Sequence, residues 1–199
     1  MKTIELKKKS VELEVCKAMF ELCKRAGKEG KKVFEMIYYN SELKRLEATD
    51  GRVAFTYAVN LEGMEADAFF SLSGNFLIEV ENRSGWSFPC IERVIPNIEE
   101  GRAADVVSIN KLNLDYKTVS VEGELCGVLG YLGVRVSGIY AGMIKKIIGC
   151  FEHIALCNDN PAGRPVLFHG RGINYVVMPM TNDWKEKAII SGQRARQTA

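Results

Sequence analysis

Between Ser10 and Gly30 the apolar residues Val15, Cys16, Met19, Leu22, Cys23 and Ala26 recur at three- and four-residue spacing. That period predicts a helix with one buried stripe. Ser10 stands where an N-cap hydroxyl is wanted, and Gly27 and Gly30 where the helix should close. Residues 2–6 alternate as a strand does. Three runs rich in strand formers follow the helix: Val33–Tyr39, Leu43–Ala48 and Val53–Val59. Asp50-Gly51 lies between the second and third, a strong hairpin signal. The opening sixty residues therefore read β-α-β-β-β.

Further along, Ala68–Val80 suits one or two strands with Gly74-Asn75 as a turn. Phe88–Pro96 is bracketed by Pro89 and Pro96, which disfavour helix, and reads as extended. Residues 97–104 are polar and read as a linker or exposed loop. Short alternating runs with glycines from Val106 to Val136 predict several strands. After Ser137 the residues Tyr140, Met143, Ile144, Ile147, Ile148 and Phe151 form a second helical stripe. His153–Cys157, Pro165–His169 and Asn174–Met178 are three closing strands. The two halves share this order of elements without an obvious sequence repeat. We divide the chain into 1–96, 97–180 and a basic, flexible tail, 181–199.

Composition changes this picture little. Apolar residues make up 47% and charged residues 26%, with a net charge of +2. The balance is globular rather than disordered, and any attraction to nucleic acid must come from local clustering. No apolar run approaches the ~20 residues that a membrane span needs. The opening run is polar and Lys-rich, so no signal peptide is expected. The six cysteines include no C-x-x-C pair. Reduced, mostly buried thiols in a cytoplasmic protein are the expectation.

Three separated stretches carry a resemblance. Ala48-Thr49-Asp50-Gly51-Arg52-Val53-Ala54, Phe88-Pro89-Cys90-Ile91-Glu92-Arg93-Val94-Ile95-Pro96 and Tyr175-Val176-Val177-Met178-Pro179-Met180 resemble, in order, three segments of the bacterial DNA sliding clamps, the beta subunits of DNA polymerase III. They are the Ala-Thr-Asp-Gly turn, the Phe-Pro-Asp-Tyr-x-Arg-Val-x-Pro linker and the C-terminal strand. Taken singly, the first reads as a hairpin turn and the last as a core strand; their order favours the resemblance. The family has His-Arg after the turn glycine, where Arg52 follows directly here. Its linker has Asp-Tyr where this chain has Cys90-Ile91. A family subunit also has three similar domains, each with two helices on the inner wall of a ring.

The resemblance implies an α+β, DNA clamp-like fold, with antiparallel sheets in β-α-β-β-β units and two main helices packed on one face. It implies a non-enzymatic processivity protein that binds DNA polymerase and other proteins carrying a clamp-binding motif. Their short motifs would enter a hydrophobic groove of Thr49, Gly51, Arg52, Val53, Pro89, Arg93, Val94, Val176, Val177, Met178, Pro179 and Met180. Methionine adapts to varied apolar side chains, and the arginines suit the polar rim. Double-stranded DNA is expected to be held weakly and without sequence preference. Lys17, Lys24, Arg25, Lys28, Lys145 and Lys146 are the DNA-facing candidates, against an ordinary solvated helix surface. A homo-oligomer is a further expected partner.

Other chemistry is weaker. Cys150, His153 and Cys157 lack a zinc spacing and a fourth ligand. The glycines at 127, 130 and 133 are not ordered as a phosphate loop. Glu99-Glu100 reads as solvated charge. No catalytic residue, metal or cofactor is expected. Two rival readings remain: a non-ring adaptor or decoy of phage or mobile-element type, competing with a host clamp, and an unrelated small α+β enzyme.

Overall fold

A computed structural model describes residues 2–81, 85–96, 104–108, 119–121, 124–129, 134–157 and 165–178. Strand β1 (Thr3–Glu5) leads into helix α1 (Val11–Lys28). Ser10 caps α1, its hydroxyl accepting from Leu13 N at 3.2 Å. Glu12 and Glu14 in the first turn, with Arg25 and Lys28 in the last, match the helix dipole. All six predicted stripe residues are buried. The helix runs through Gly27 and stops one residue later. Gly27 lies in the last turn and packs closely on the following segment: a Cβ there would lie 3.1 Å from Glu35 Cβ. Gly30, at φ +79°, makes the left-handed turn after the end.

The strands that follow are β2 (Ile37–Asn40), β3 (Arg45–Thr49), β4 (Val53–Ala58), β5 (Ala68–Ser73), β6 (Phe76–Glu79) and β7 (Ala104–Ser108). Next come β8 (Val119–Val121), β9 (Glu124–Leu129), β10 (Val134–Ser137), α2 (Gly138–Lys146), β11 (His153–Cys157), β12 (Val166–Gly170) and β13 (Ile173–Val177). Two expectations are corrected by a tightening of the backbone. Lys32–Phe34 is a 3-10 turn rather than the start of a strand, and it brings the Phe34 ring edge-on to Phe88 at 6.1 Å. The second helix is shorter than its stripe, because Ile148–Cys150 is also a 3-10 turn. Its purpose is to swing the chain against β12: Glu152 N donates to His169 O at 2.9 Å. A Cβ at Gly170 would sit 2.4 Å from Glu152 N, so that approach requires glycine.

Among the described residues, the main sheet runs β1-β6-β5-β2-β3-β4-β13-β12-β11-β7, and a smaller one runs β10-β9-β8. Every pairing in them is antiparallel. The pairing that matters most joins β4 to β13, with Val53 opposite Val177 and Ala54 opposite Val176. It sets the Asp-Gly turn beside the end of the last closing strand.

Successive strand residues point to opposite faces. Phe55, Tyr175, Phe168 and Ile154 face the helices and share one core with Met19, Leu22, Tyr140 and Ile144. The expected α+β clamp-like arrangement, with two helices on one face, is therefore what the structure has. Lys146 Nζ bonds Glu21 at 2.8 Å and ties the helices together. The opposite face carries a second, smaller cluster of Ala54, Ala155, Leu167 and Val176 beneath Ile91.

Candidate functional site

The turn after β3 is built by its own side chains. Thr49 Oγ1 accepts from Gly51 N at 3.0 Å and donates to Val53 O at 2.6 Å. Asp50 Oδ1 accepts from Arg52 N at 2.9 Å and from Val53 N at 3.0 Å. Gly51 has φ +88°, a region that costs a residue with a Cβ. Arg52 is thrown outward, and its Nη1 pairs with Glu29 Oε1 at 3.3 Å. Arg52 O accepts from Met178 N at 3.4 Å, so the turn and the end of β13 are joined by backbone as well as by the β4–β13 ladder.

The segment 86–96 crosses the outer face of the sheet as a strap. Phe88 stacks on Tyr38 with ring centroids 4.7 Å apart at 13°. Ile91 sits on Ala54, Ala155, Leu167 and Val176 and is 3% exposed. Glu92 pairs with Arg45 Nη1, and Arg45 Nε holds Glu47 Oε1 at 2.7 Å. Burial would lower the Arg45 pKa, but the hydrogen bonds of Glu47 and Glu92 outweigh it and hold it up. Burial pushes the Glu47 carboxyl up, with Arg45 opposing. The strap was expected to be extended throughout. Instead Ile91–Val94 coil into a 3-10 turn, which points Ile91 into the sheet while Arg93 and Val94 stay outside.

The three stretches singled out in the sequence thus meet: Ala54, Ile91 and Val176 belong to one cluster. The candidate groove residues divide by depth. Gly51, Arg52, Pro89, Arg93, Val94 and Met178 are exposed, Val94 at 50% and Met178 at 49%. Thr49 and Val176 are buried beneath them. Val53 and Val177 lie on the other side of the sheet, in the core shared with the helices. Pro179 and Met180 lie outside the described residues. Sequence reading missed Ile91, Leu167, Ala155, Arg45 and Glu92 as parts of this patch. Leu167 and Ala155 follow from period two in β12 and β11 once those strands are placed. The Arg45–Glu92 pair, 47 residues apart, left no local signal.

Of the DNA-facing candidates, Lys17, Lys24, Lys28, Lys145 and Lys146 are exposed. Lys17 pairs with Glu14 at 2.9 Å, and Lys24 lies 4.7 Å above the Phe20 ring centre. Arg25 is only 22% exposed and is turned inward, 3.5 Å from Glu29 and 3.6 Å from Asp50. Cys150 is in the helix-side core and His153 is exposed in β11; the Cys157 side chain lies outside the described residues. No group of three metal-ligating side chains occurs among the described residues. No helix among them is long and apolar enough to cross a membrane.

No protein-family model matches the chain, and no curated protein sequence matches it. Solved structures do. The Helicobacter pylori beta clamp bound to a DNA ligase peptide superposes with a TM-score of 0.52 at 11% identity, over 90% of this chain and 65% of that one. The Bacillus subtilis DNA polymerase sliding clamp gives 0.52 at 11% identity, over 90% and 64%. The Thermotoga maritima DNA polymerase III beta subunit gives 0.51 at 17% identity, over 89% and 65%. The chain thus spans slightly less than two thirds of these subunits. At this identity the likeness is one of architecture: this chain has the fold of the bacterial DNA sliding clamps.

Proposed function

We propose that the protein is a non-enzymatic, sliding-clamp-like replication protein that captures short linear motifs of polymerase and other partners on the surface around Met178. The observation that carries this reading is the convergence of the turn, the strap and the last strand on one patch. Met178 and Val94 supply exposed apolar contact, and Arg52 and Arg93 supply donors at its edge. Two rigid backbones, the β4–β13 ladder and the strap pinned by Ile91, hold these groups in place, so little ordering entropy is lost when an extended peptide binds. Thr49 and Val176 form the supporting layer beneath them, and Val53 and Val177 anchor the same strands in the helix-side core. The peptide on the Helicobacter pylori clamp agrees with such a role.

In this reading residues 1–96 and 97–180 are two clamp-like halves. The protein works in the cytoplasm, alone or as a homo-oligomer, and the exposed lysines of the helices hold double-stranded DNA weakly. Binding of a fluorescein-labelled clamp-binding peptide, followed by anisotropy, tests the docking surface. The wild type should bind at micromolar concentration, and Met178→Arg should lose binding while keeping its thermal midpoint. A wild type that stays unbound at high micromolar peptide refutes the assignment.

A further inference from the structure

The turn needs only one oxygen of Asp50. Oδ1 accepts from both Arg52 N and Val53 N, which is the ordinary work of an Asx turn. Oδ2 points elsewhere. Tyr140 of α2, ninety residues away, donates its hydroxyl to it at 2.6 Å. Arg25 of α1 brings Nε to 3.6 Å of the same atom, and its guanidinium lies 5.4 Å from the Tyr140 ring centre. Arg25 Nε is buried without a hydrogen bond in the described structure. Two carboxylates compensate its charge, Glu29 at 3.5 Å on the solvent side and Asp50 at 3.6 Å from within. Asp50 itself is 0% exposed, and Lys31 Nζ bonds its carbonyl oxygen at 2.5 Å.

One atom thus gathers the C-terminal end of α1 and the first turn of α2. The other shapes the turn that presents Arg52, whose carbonyl holds Met178 N. We propose that Asp50 is a positioning residue: through Oδ2 it fixes the Arg52–Met178 rim to both helices, so that the rim keeps its shape only while Arg25 and Tyr140 are gathered. The consequence for ligand binding rests on the docking role proposed above; the consequence for the rim itself does not.

Two variants separate the two oxygens. Asp50→Asn keeps an acceptor for the turn but sets an amide donor against Arg25. Tyr140→Phe leaves Asp50 intact but removes the hydroxyl, which also contacts the Arg52 side chain, so the role of Oδ2 is assigned only where Asp50→Asn, which keeps that contact, gives the same result. Amide hydrogen exchange is measured by NMR on the full chain at Arg52, Val53 and Met178, with the β5–β6 hairpin as the internal reference. Loss of one buried hydrogen bond should speed exchange at the rim by roughly tenfold in both variants, with the hairpin rates unchanged. Affinity for the labelled peptide should fall by a similar factor. Unchanged rim rates, or an equal acceleration in rim and hairpin, would overturn the positioning role. If the wild type binds no peptide, the docking reading fails, and the exchange rates still decide the role of Asp50.

Discussion

Ile91 is the pin that fastens the strap to the sheet, and Ile91→Ala measures what it holds. The side chain is 3% exposed and rests on Ala54, Ala155, Leu167 and Val176. Truncation removes three carbon groups, about 2.4 kcal/mol of transfer free energy at roughly 0.8 kcal/mol each. Isoleucine-to-alanine changes in cores span about 2–5 kcal/mol, depending on how well the site collapses. Here the strap is free to settle toward the small residues Ala54 and Ala155. Phe88 on Tyr38 and Glu92 on Arg45 still anchor it at either side. The low end, about 2–3 kcal/mol, is the expectation. With a urea slope of roughly 2 kcal/mol per molar, the unfolding midpoint should fall by about 1 M, followed by far-ultraviolet circular dichroism. A midpoint within about 0.2 M of wild type would show that the strap is not packed on this face.

Three further outcomes are expected. Gly170→Ala forces a Cβ to 2.4 Å from Glu152 N and should cost more than about 2 kcal/mol in a denaturant titration, although the substitution adds a single methyl group. Burial, and then the Asp50 hydrogen bond, push the Tyr140 hydroxyl up to about 12 from an ordinary 10.0. The folded state therefore holds that proton more tightly than the unfolded one, so the stability it contributes is present below pH 10 and lost as pH rises through about 12. Alkaline unfolding of Tyr140→Phe, compared with wild type by circular dichroism, should lack that component. Reversing Lys24 and Lys28 to glutamate should weaken duplex binding and flatten its dependence on salt concentration, measured by fluorescence anisotropy from about 50 to about 200 mM salt.

How legible all this was depends on range. The α1 stripe, the Ser10 cap, the Asp50-Gly51 turn and the three closing strands are written in local period and turn chemistry, and each stands within a residue or two of where the pattern puts it. The Phe34 and Ile148 turns were not readable. In both, a partner distant in sequence, Phe88 in one case and His169 in the other, overrides the local preference. The candidate site shows the same division. Its three stretches could be picked out one by one, whereas Val53 and Val177 facing the helices follows only once β4 is paired with β13. Arg25 looked like a surface cation on the basic end of α1, and Asp50 draws it inward. That pairing is invisible from either residue's neighbours.

The central claim is that a partner's motif docks on the patch where turn, strap and last strand meet. Its most direct test is amide chemical-shift mapping of the isotopically labelled protein during titration with an unlabelled clamp-binding peptide. The account predicts that Gly51, Arg52, Arg93, Val94 and Met178 shift together and saturate at one dissociation constant, while the amides of α1 from Glu12 to Leu22 stay still. Shifts confined to the helices or scattered over the sheet, with the Met178 rim unmoved, would contradict it.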